Sequence, residues 1–363
     1  MAEGFLEIVN DVQPEAVAES YLMELISRSL IQVTRRNEFG RPREFKMHDI
    51  IRDFALSIAK EESFLAACNG DKGVEEGGIH RYSVRVKDKE TMTRNGTSQL
   101  RSLIIFVDEN SKFNKFPYGL KLLRVWDLEN APMDEVPTEF GELFNLRYLN
   151  LLRTQVKKLP KSIDKLFNLQ SLLLKFGKIK ELPTEIGKLQ NLRHLSAFYL
   201  VESEVRDVME DVQCIEVSSN ICMIKGLQVL NYARATSGLL IKLKEMEQLR
   251  RIGLSGLTET DEEHLCNSIQ RMQHLHCLWL TALPQAVLKL DALPSAPPYL
   301  ERLFLVGKLR KVPHWFNTLL SLKFLSLEGS RVGKAAITHI QTLPNLLRLN
   351  LMGNAFVGKL TLH

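Results

Sequence analysis

LLRVWDLENA (122–131), NLRYLNLLRT (145–154), NLQSLLLKFG (168–177) and NLRHLSAFYL (191–200) are four lines of one phrase. Their opening leucines, Leu123, Leu146, Leu169 and Leu192, stand 23 residues apart. Pro137, Pro160 and Pro183 precede the last three of them by nine residues, Leu143, Leu166 and Leu189 by three, and Asn145, Asn168 and Asn191 by one. Four columns in one register make a structural repeat. In L-x-x-L-x-L the fourth and sixth residues lie two apart, so on a strand they share a face. The inward pairs are then Leu103/Ile105, Trp126/Leu128, Leu149/Leu151, Leu172/Leu174 and Leu195/Ala197. The proline-bearing returns (VPTEFGEL, LPKSIDKL, LPTEIGKL) carry the chain back behind the strand and are expected to bury Phe140, Ile163 and Ile186.

A period of about 20–29 residues with this phrase is the leucine-rich-repeat signature. One coil cannot cover its own apolar faces, whereas stacked coils can. The expected fold class is α/β: a leucine-rich-repeat solenoid with a parallel sheet along its concave side. After Ala197 the period breaks, and the next opening leucine is Leu227. Residues 200–226 therefore read as an insertion carrying Asp207, Glu210, Asp211 and Glu216. Repeats resume at Leu249, Leu275, Leu300, Leu322 and Leu346, and VPHWFNTLLSL at 312–322 restores the proline register. Towards the N-terminus, Leu100-x-x-Leu103-x-Ile105 is a good repeat and Ile79-x-x-Tyr82-x-Val84 an imperfect one. Residues 79–363 then hold about 11–12 coils.

Composition narrows the class. The chain has 363 residues, 45% hydrophobic and 25% charged, as in ordinary soluble proteins. A net charge of +5 is too small to argue nucleic-acid binding without clustering. Five irregularly spaced cysteines give no disulfide framework and suit a reducing compartment. MAEGFLEIVND shows no signal peptide, and no apolar run reaches the length of a membrane span. The expectation is a soluble intracellular protein.

Residues 1–62 stand outside the repeat. Pro14 suits the first turn of a helix, with Val17, Leu22, Leu25 and Ile26 as its apolar face. Leu30–Thr34, a turn at 37–40, and Arg43–Met47 read as a hairpin. A second helix from Asp49 has Ile50, Ile51, Phe54, Ala55 and Ile58 spaced for one buried face. Helix, wing, helix is a partial winged-helix pattern. Residues 63–78, with Gly70, Gly73, Gly77 and Gly78, read as a linker; a phosphate cradle would need a following Lys-Ser/Thr, which is missing.

AEGFLE (2–7), AESYLMELISRSLIQV (18–33) and KMHDIIRDFALSIAKEE (46–62) resemble plant nucleotide-binding leucine-rich-repeat disease-resistance proteins (NB-ARC-LRR) of the coiled-coil class. The resemblance runs from their winged-helix module through the repeats. Met47, His48 and Asp49 match the family's methionine-histidine-aspartate motif, whose histidine contacts the phosphates of ADP and helps hold the receptor off. It implies ADP or ATP with magnesium for the intact family. No G-x-x-x-x-G-K-[ST] loop is encoded here, so no cofactor is expected in this chain and the motif is expected to be vestigial. The resemblance implies an intracellular immune-receptor fragment, cytoplasmic, with the nucleus or the plasma-membrane periphery as alternatives. Both ends read as cuts through a longer chain. The implied partners are proteins: a pathogen effector, a guarded host protein, or the nucleotide-binding domain in cis. A ubiquitin-ligase substrate adaptor would need an F-box-like segment that residues 1–62 do not resemble. A winged-helix DNA-binding protein would need a basic recognition helix, but residues 50–60 carry only Arg52 and Lys60 against Asp53.

Catalysis finds little support. His264, Cys266, His274, His276 and Cys277 crowd together in sequence, but the register sends Cys277 to the strand face and His264 and Cys266 behind it. Nor is there a local signature for a nucleophile and its base. The functional signal is on the outward strand positions, which include Leu173, Phe176, Phe198, Tyr199, Trp279, Phe304 and Phe324. Exposed aromatics are common anchors of protein interfaces. If they are exposed, replacing Trp279 and Phe304 together by alanine should leave the melt nearly unchanged.

Overall fold

The repeat folds into short strands joined by tight returns, as the columns require. A computed structural model describes residues 1–6, 14–37, 40–69, 80–86, 97–107, 119–200 and 212–357. The chain divides into two units, residues 1–128 with 145–148, and residues 129–144 with 149–363.

The first unit begins with α1 (Pro14–Ser27), opened by its proline. Strands β1 (Gln32–Arg36) and β2 (Pro42–Lys46) pair antiparallel, with Gln32 opposite Lys46. Asn37 organises their turn: its carbonyl accepts from Gly40 N–H at 2.9 Å and its side chain from Arg41 N–H at 2.9 Å. Helix α2 (Asp49–Glu61) follows, so the expected helix, hairpin, helix order is present. The expected burial of α2 is not. Ile50 is 73% and Phe54 64% exposed, Ile58 is exposed too, and Ala59 is the buried residue of the helix. Helical spacing brings the apolar residues onto one stripe, but residues 52–58 are all exposed; past the helix end, Phe64 and Leu65 N–H return to Ala59 O.

The span expected as a linker starts with a strand, β3 (Ala66–Asn69), while residues 70–78 lie outside the described residues. It pairs parallel with β4 (Arg81–Val86), which pairs with β5 (Ser102–Val107), which pairs with β6 (Val125–Asp127). Tyr82, Leu103 and Trp126 fall in one inward row and are buried. Ile79 and the Val84 side chain are outside the described residues. The N-terminal residues are fastened to these strands. The Arg81 guanidinium lies 4.5 Å from the Phe5 ring and 4.2 Å from the Phe64 ring, and donates to Glu3 Oε2 at 3.1 Å. Arg124 adds a bond to Glu3 O at 3.2 Å.

In the second unit the sheet order is β7 (Tyr148–Asn150), β8 (Ser171–Leu173), β9 (His194–Ser196), then β12 (Val229–Arg234) after the small pair β10 (Phe198–Leu200) and β11 (Val212–Cys214). It continues through β13 (Arg251–Leu257), β14 (Cys277–Ala282), β15 (Arg302–Val306), β16 (Phe324–Glu328) and β17 (Arg348–Met352). From β8 on the pairing is parallel. The inward rows, including Leu149/Leu151, Leu172/Leu174 and Leu195/Ala197, are buried, as are Phe140, Ile163 and Ile186 of the returns. Most returns are single 3-10 turns; Pro137, Pro160 and Pro183 stand at their N-caps in extended geometry, and Pro313 at another with φ −58° and ψ 142°. Three later returns are α-helical: α3 (Ser237–Leu243), α4 (Glu262–Arg271) and α5 (Lys334–Gln341).

Neighbouring coils are tied by two devices. The asparagine column donates backwards, Asn168 Nδ2 to Phe144 O at 2.9 Å and Asn191 Nδ2 to Phe167 O at 2.8 Å. The carbonyl after the opening leucine accepts two N–H groups from the next coil, as Gln170 O does from Arg193 and His194. Where returns meet closely there is room only for glycine: a Cβ on Gly187 would collide with the Asn220 carbonyl. The insertion is shorter than expected. β10 and β11 pair antiparallel, Phe198 opposite Cys214, and by Ser219–Met223 the ordinary return has resumed, with Ile221, Ile224 and Leu227 buried. Asp207, Glu210 and Asp211 lie outside the described residues, while Glu216 pairs with Arg234 at 3.0 Å.

Candidate protein-binding face

The outward side of the second unit's strands carries a continuous ladder of rings. Phe176 meets Phe198 edge-on at 4.6 Å, and Phe198 meets Tyr232 at 4.8 Å. Tyr232 meets Trp279 at 5.4 Å, Trp279 stacks on Phe304 at 4.6 Å and 12°, and Phe304 meets Phe324 at 4.9 Å. A guanidinium closes each end: Arg153 lies 5.1 Å from the Phe176 ring and Arg348 5.8 Å from the Phe324 ring. Such ring pairs contribute about 0.5–1.5 kcal/mol each beyond area burial.

The strands position the rings. Trp279 and Phe304 are opposite one another in the β14–β15 register. On β13 the facing position is Gly253, opposite Trp279. Its missing side chain leaves space for Tyr232 to reach over β13; a Cβ there would lie 3.0 Å from the Tyr232 nitrogen. Tyr232 itself swings outward at a break in β12, between Leu230 and Ala233, with φ +64°. Trp279 is oriented further by Nε1, which donates to Thr281 Oγ1 at 3.0 Å.

Outward does not mean exposed. Phe198 and Phe324, expected as open anchors, are 6% and 5% exposed because each is enclosed by neighbouring rings, and in Phe324's case also lies beneath Arg348. Trp279 and Phe304 are half-buried, and Phe176 is exposed. Leu173 is half-buried on the same face of β8. The Tyr199 side chain lies outside the described residues. Tyr232 belongs to the ladder although strict L-x-x-L-x-L register would send it inward.

Beside the ladder, at the C-terminal ends of these strands, opens a groove of about 800 Å³. Tyr232, Trp279, Thr281, Val306, Lys308 and Arg331 are among its lining residues. Burial pushes the Tyr232 hydroxyl up to about 12, with Cys277 and Cys214 adding to the effect. Burial also raises the Cys277 thiol, against the opposing influence of Arg251 and Arg302. These groups stay protonated at neutral pH, which favours a binding surface over nucleophilic chemistry.

The other candidate residues lie apart. His264 is exposed and Cys266 buried on α4, while the His276 ring contacts His274 O at 2.6 Å and stacks on Tyr299. Among the described residues, no group of three or more His, Cys, Asp or Glu side chains is placed to hold a metal. Met47 is half-buried, and exposed His48 caps α2 by accepting Ile50 N–H at Nδ1 (3.4 Å). Asp49 accepts from Arg52 at 2.9 Å. That donor set does not fit a nucleotide's phosphates, which call for several converging N–H groups and a lysine.

Comparison with known proteins places the fold and the sequence together. A family model described as "Leucine-rich repeat region" matches residues 99–362, and one described as "Disease resistance protein Winged helix domain" matches residues 1–55. The chain is 41% identical to Disease resistance protein RPM1 of Arabidopsis thaliana over 99% of its own length and 39% of that protein's. This chain belongs to the plant leucine-rich-repeat disease-resistance family. A second member, Disease resistance protein Pik-2 of Oryza sativa subsp. japonica, is 24% identical over 96% of this chain and 38% of the relative. The chain thus spans about two fifths of the length of these two family members. Among solved structures, the leucine-rich repeat domain of APL1B matches with a TM-score of 0.50 at 13% identity, covering 88% of this chain and 95% of that one. The TLR13–ssRNA13 complex matches with 0.51 at 20%, covering 77% and 41%. Both likenesses concern the fold alone. Among the described residues, no helix is long and apolar enough to cross a membrane.

Proposed function

We propose that this chain is the recognition portion of an intracellular plant immune receptor and binds a protein through the aromatic ladder face. The observation that carries the reading is the ladder itself. Six rings, five of them on β-strands and Phe176 in the turn after β8, form with guanidinium groups at both ends a rigid amphipathic surface of the kind that anchors protein partners. In this reading residues 1–62 are a partial winged-helix module and the repeats extend from about residue 79, the expected start of the first coil. The partner is a pathogen effector or a guarded host protein, and the activity is recognition rather than catalysis. A nucleotide-binding domain in cis, supplied by the intact receptor, converts recognition into an ADP-to-ATP switch; Met47, His48 and Asp49 are the trace of that switch here.

Affinity capture from pathogen-challenged leaf tissue tests this. The purified chain is compared with Trp279→Leu/Phe304→Leu, which keeps both positions apolar but removes the rings, and with Leu320→Ala on the exposed return side. A protein retained by the native chain and by Leu320→Ala, and lost with the ladder variant, is the expected result. Equal retention by all three would place recognition elsewhere on the molecule.

A further inference from the structure

We infer that the partner segment received by the ladder and its groove is acidic, an extended stretch of a protein that carries carboxylates beside an apolar side chain. This deepens the proposed function and rests on it. The outward positions of β13, β15 and β17 present Arg251, Arg302 and Arg348. Cys277 lies between the first two on β14, and Phe324 between the last two on β16. Adjacent strands are about 4.8 Å apart, so these cations repeat every second strand at roughly 10 Å. At the groove, Lys308 and Arg331 are exposed. Arg234 is there too, paired with Glu216. Glu328 is, among the described residues, the single carboxylate of the groove lining. Among the described residues the face is therefore basic, in a chain whose overall excess is only +5.

The same geometry weighs against single-stranded nucleic acid, which also favours aromatics and cations. Bases bind by stacking on open ring faces. Here Trp279 and Phe304 give their faces to each other, at 4.6 Å and 12°, and Phe198 is enclosed by Phe176 and Tyr232. What remains open are ring edges and a groove wall, which suit an aliphatic or aromatic side chain. The cations beside them, roughly 10 Å apart, suit carboxylates about three residues apart in an extended segment, which rises about 3.3 Å per residue.

The test uses the whole chain and a random glutamate–tyrosine copolymer as probe. Trp126 and Trp315 are 1% and 0% exposed, so of the three tryptophans only half-buried Trp279 can report contact at this face. Titration should change its fluorescence, with an affinity that falls steeply as salt rises. Lys308→Glu/Arg331→Glu, or separately Arg251→Glu, should weaken binding on the order of tenfold with an unchanged melt. Polylysine and polyuridylate should not bind. Binding of polyuridylate as tight as the copolymer's, or indifference of copolymer binding to charge reversal, would overturn the inference. Should the copolymer fail while the ladder variant still loses its captured protein, the acidic partner falls and the recognition face stands.

Discussion

Trp279 and Phe304 give the sharpest quantitative test of the structure. Both are half-buried and they stack on one another, so each contributes to stability and each contribution depends on the other. Truncating a fully buried Phe or Trp to alanine costs about 3–5 kcal/mol. Half burial scales this to about 1.5–2.5 kcal/mol for either single variant. Their coupling should be about 0.5–1.5 kcal/mol, so the double variant loses less than the sum of the singles. Urea unfolding of the native chain, Trp279→Ala, Phe304→Ala and the double variant, followed by far-ultraviolet circular dichroism, measures all the terms. For scale, Leu278→Ala in the inward row, where Leu278 is 0% exposed, should cost about 2–5 kcal/mol. Strict additivity, or singles that unfold with the native chain, would show that the rings do not stack and that the outward face is open. The expectation of an unchanged melt came from treating outward as exposed; the stacked pair reverses it.

Other expectations follow from the joints and buried groups. Asn168→Ala removes the bond to Phe144 O and should cost about 0.5–1.5 kcal/mol, read as a lowered urea midpoint; no change would mean water replaces it. Gly187→Ala should lower the melt markedly because its Cβ meets the Asn220 carbonyl, whereas Gly226→Ala, which meets nothing within 4 Å, should not. Burial pushes the Cys222 thiol up to about 11 and Cys266 up to about 12. The unfolded chain releases those protons near about pH 8.5, so their stability contribution is full below that value and is lost as pH rises through the folded values. The melt should therefore fall between pH 8.5 and 11 or so, less steeply in Cys222→Ala/Cys266→Ala. Finally, calorimetric titration with ADP and magnesium should show no binding. His48 can add roughly 1.5–3 kcal/mol, short of the roughly 4.1 kcal/mol of millimolar affinity. Micromolar binding lost in His48→Ala would refute this.

The fold was largely legible because a repeat writes each burial position several times over. Leu149, Leu172 and Leu195 sit where their common column puts them. The asparagine column was visible too, although its purpose, a bond to the preceding coil, was not. The ladder was legible in part. Trp279 and Phe304 follow from period-two register, but Tyr232 does not, since a break in β12 turns it outward and puts Ala233 in the core. Burial of Phe198 and Phe324 depends on rings from other coils, which no local pattern records. The exposed stripe of α2 failed for a related reason: helical spacing says that a face is apolar, not what covers it.

The break after Ala197 bears on how such a stack of repeats can vary. Although 35 residues separate Leu192 from Leu227, β9 and β12 remain paired, His194 opposite Val229 and Leu195 opposite Leu230. The added chain leaves and re-enters at the strand ends through β10 and β11, beside Phe198. Length can thus be gained or lost at this point while every joint in the series stays closed. It is a graft point: a place where the edge of the sheet can be rewritten without re-engineering the stack that carries it.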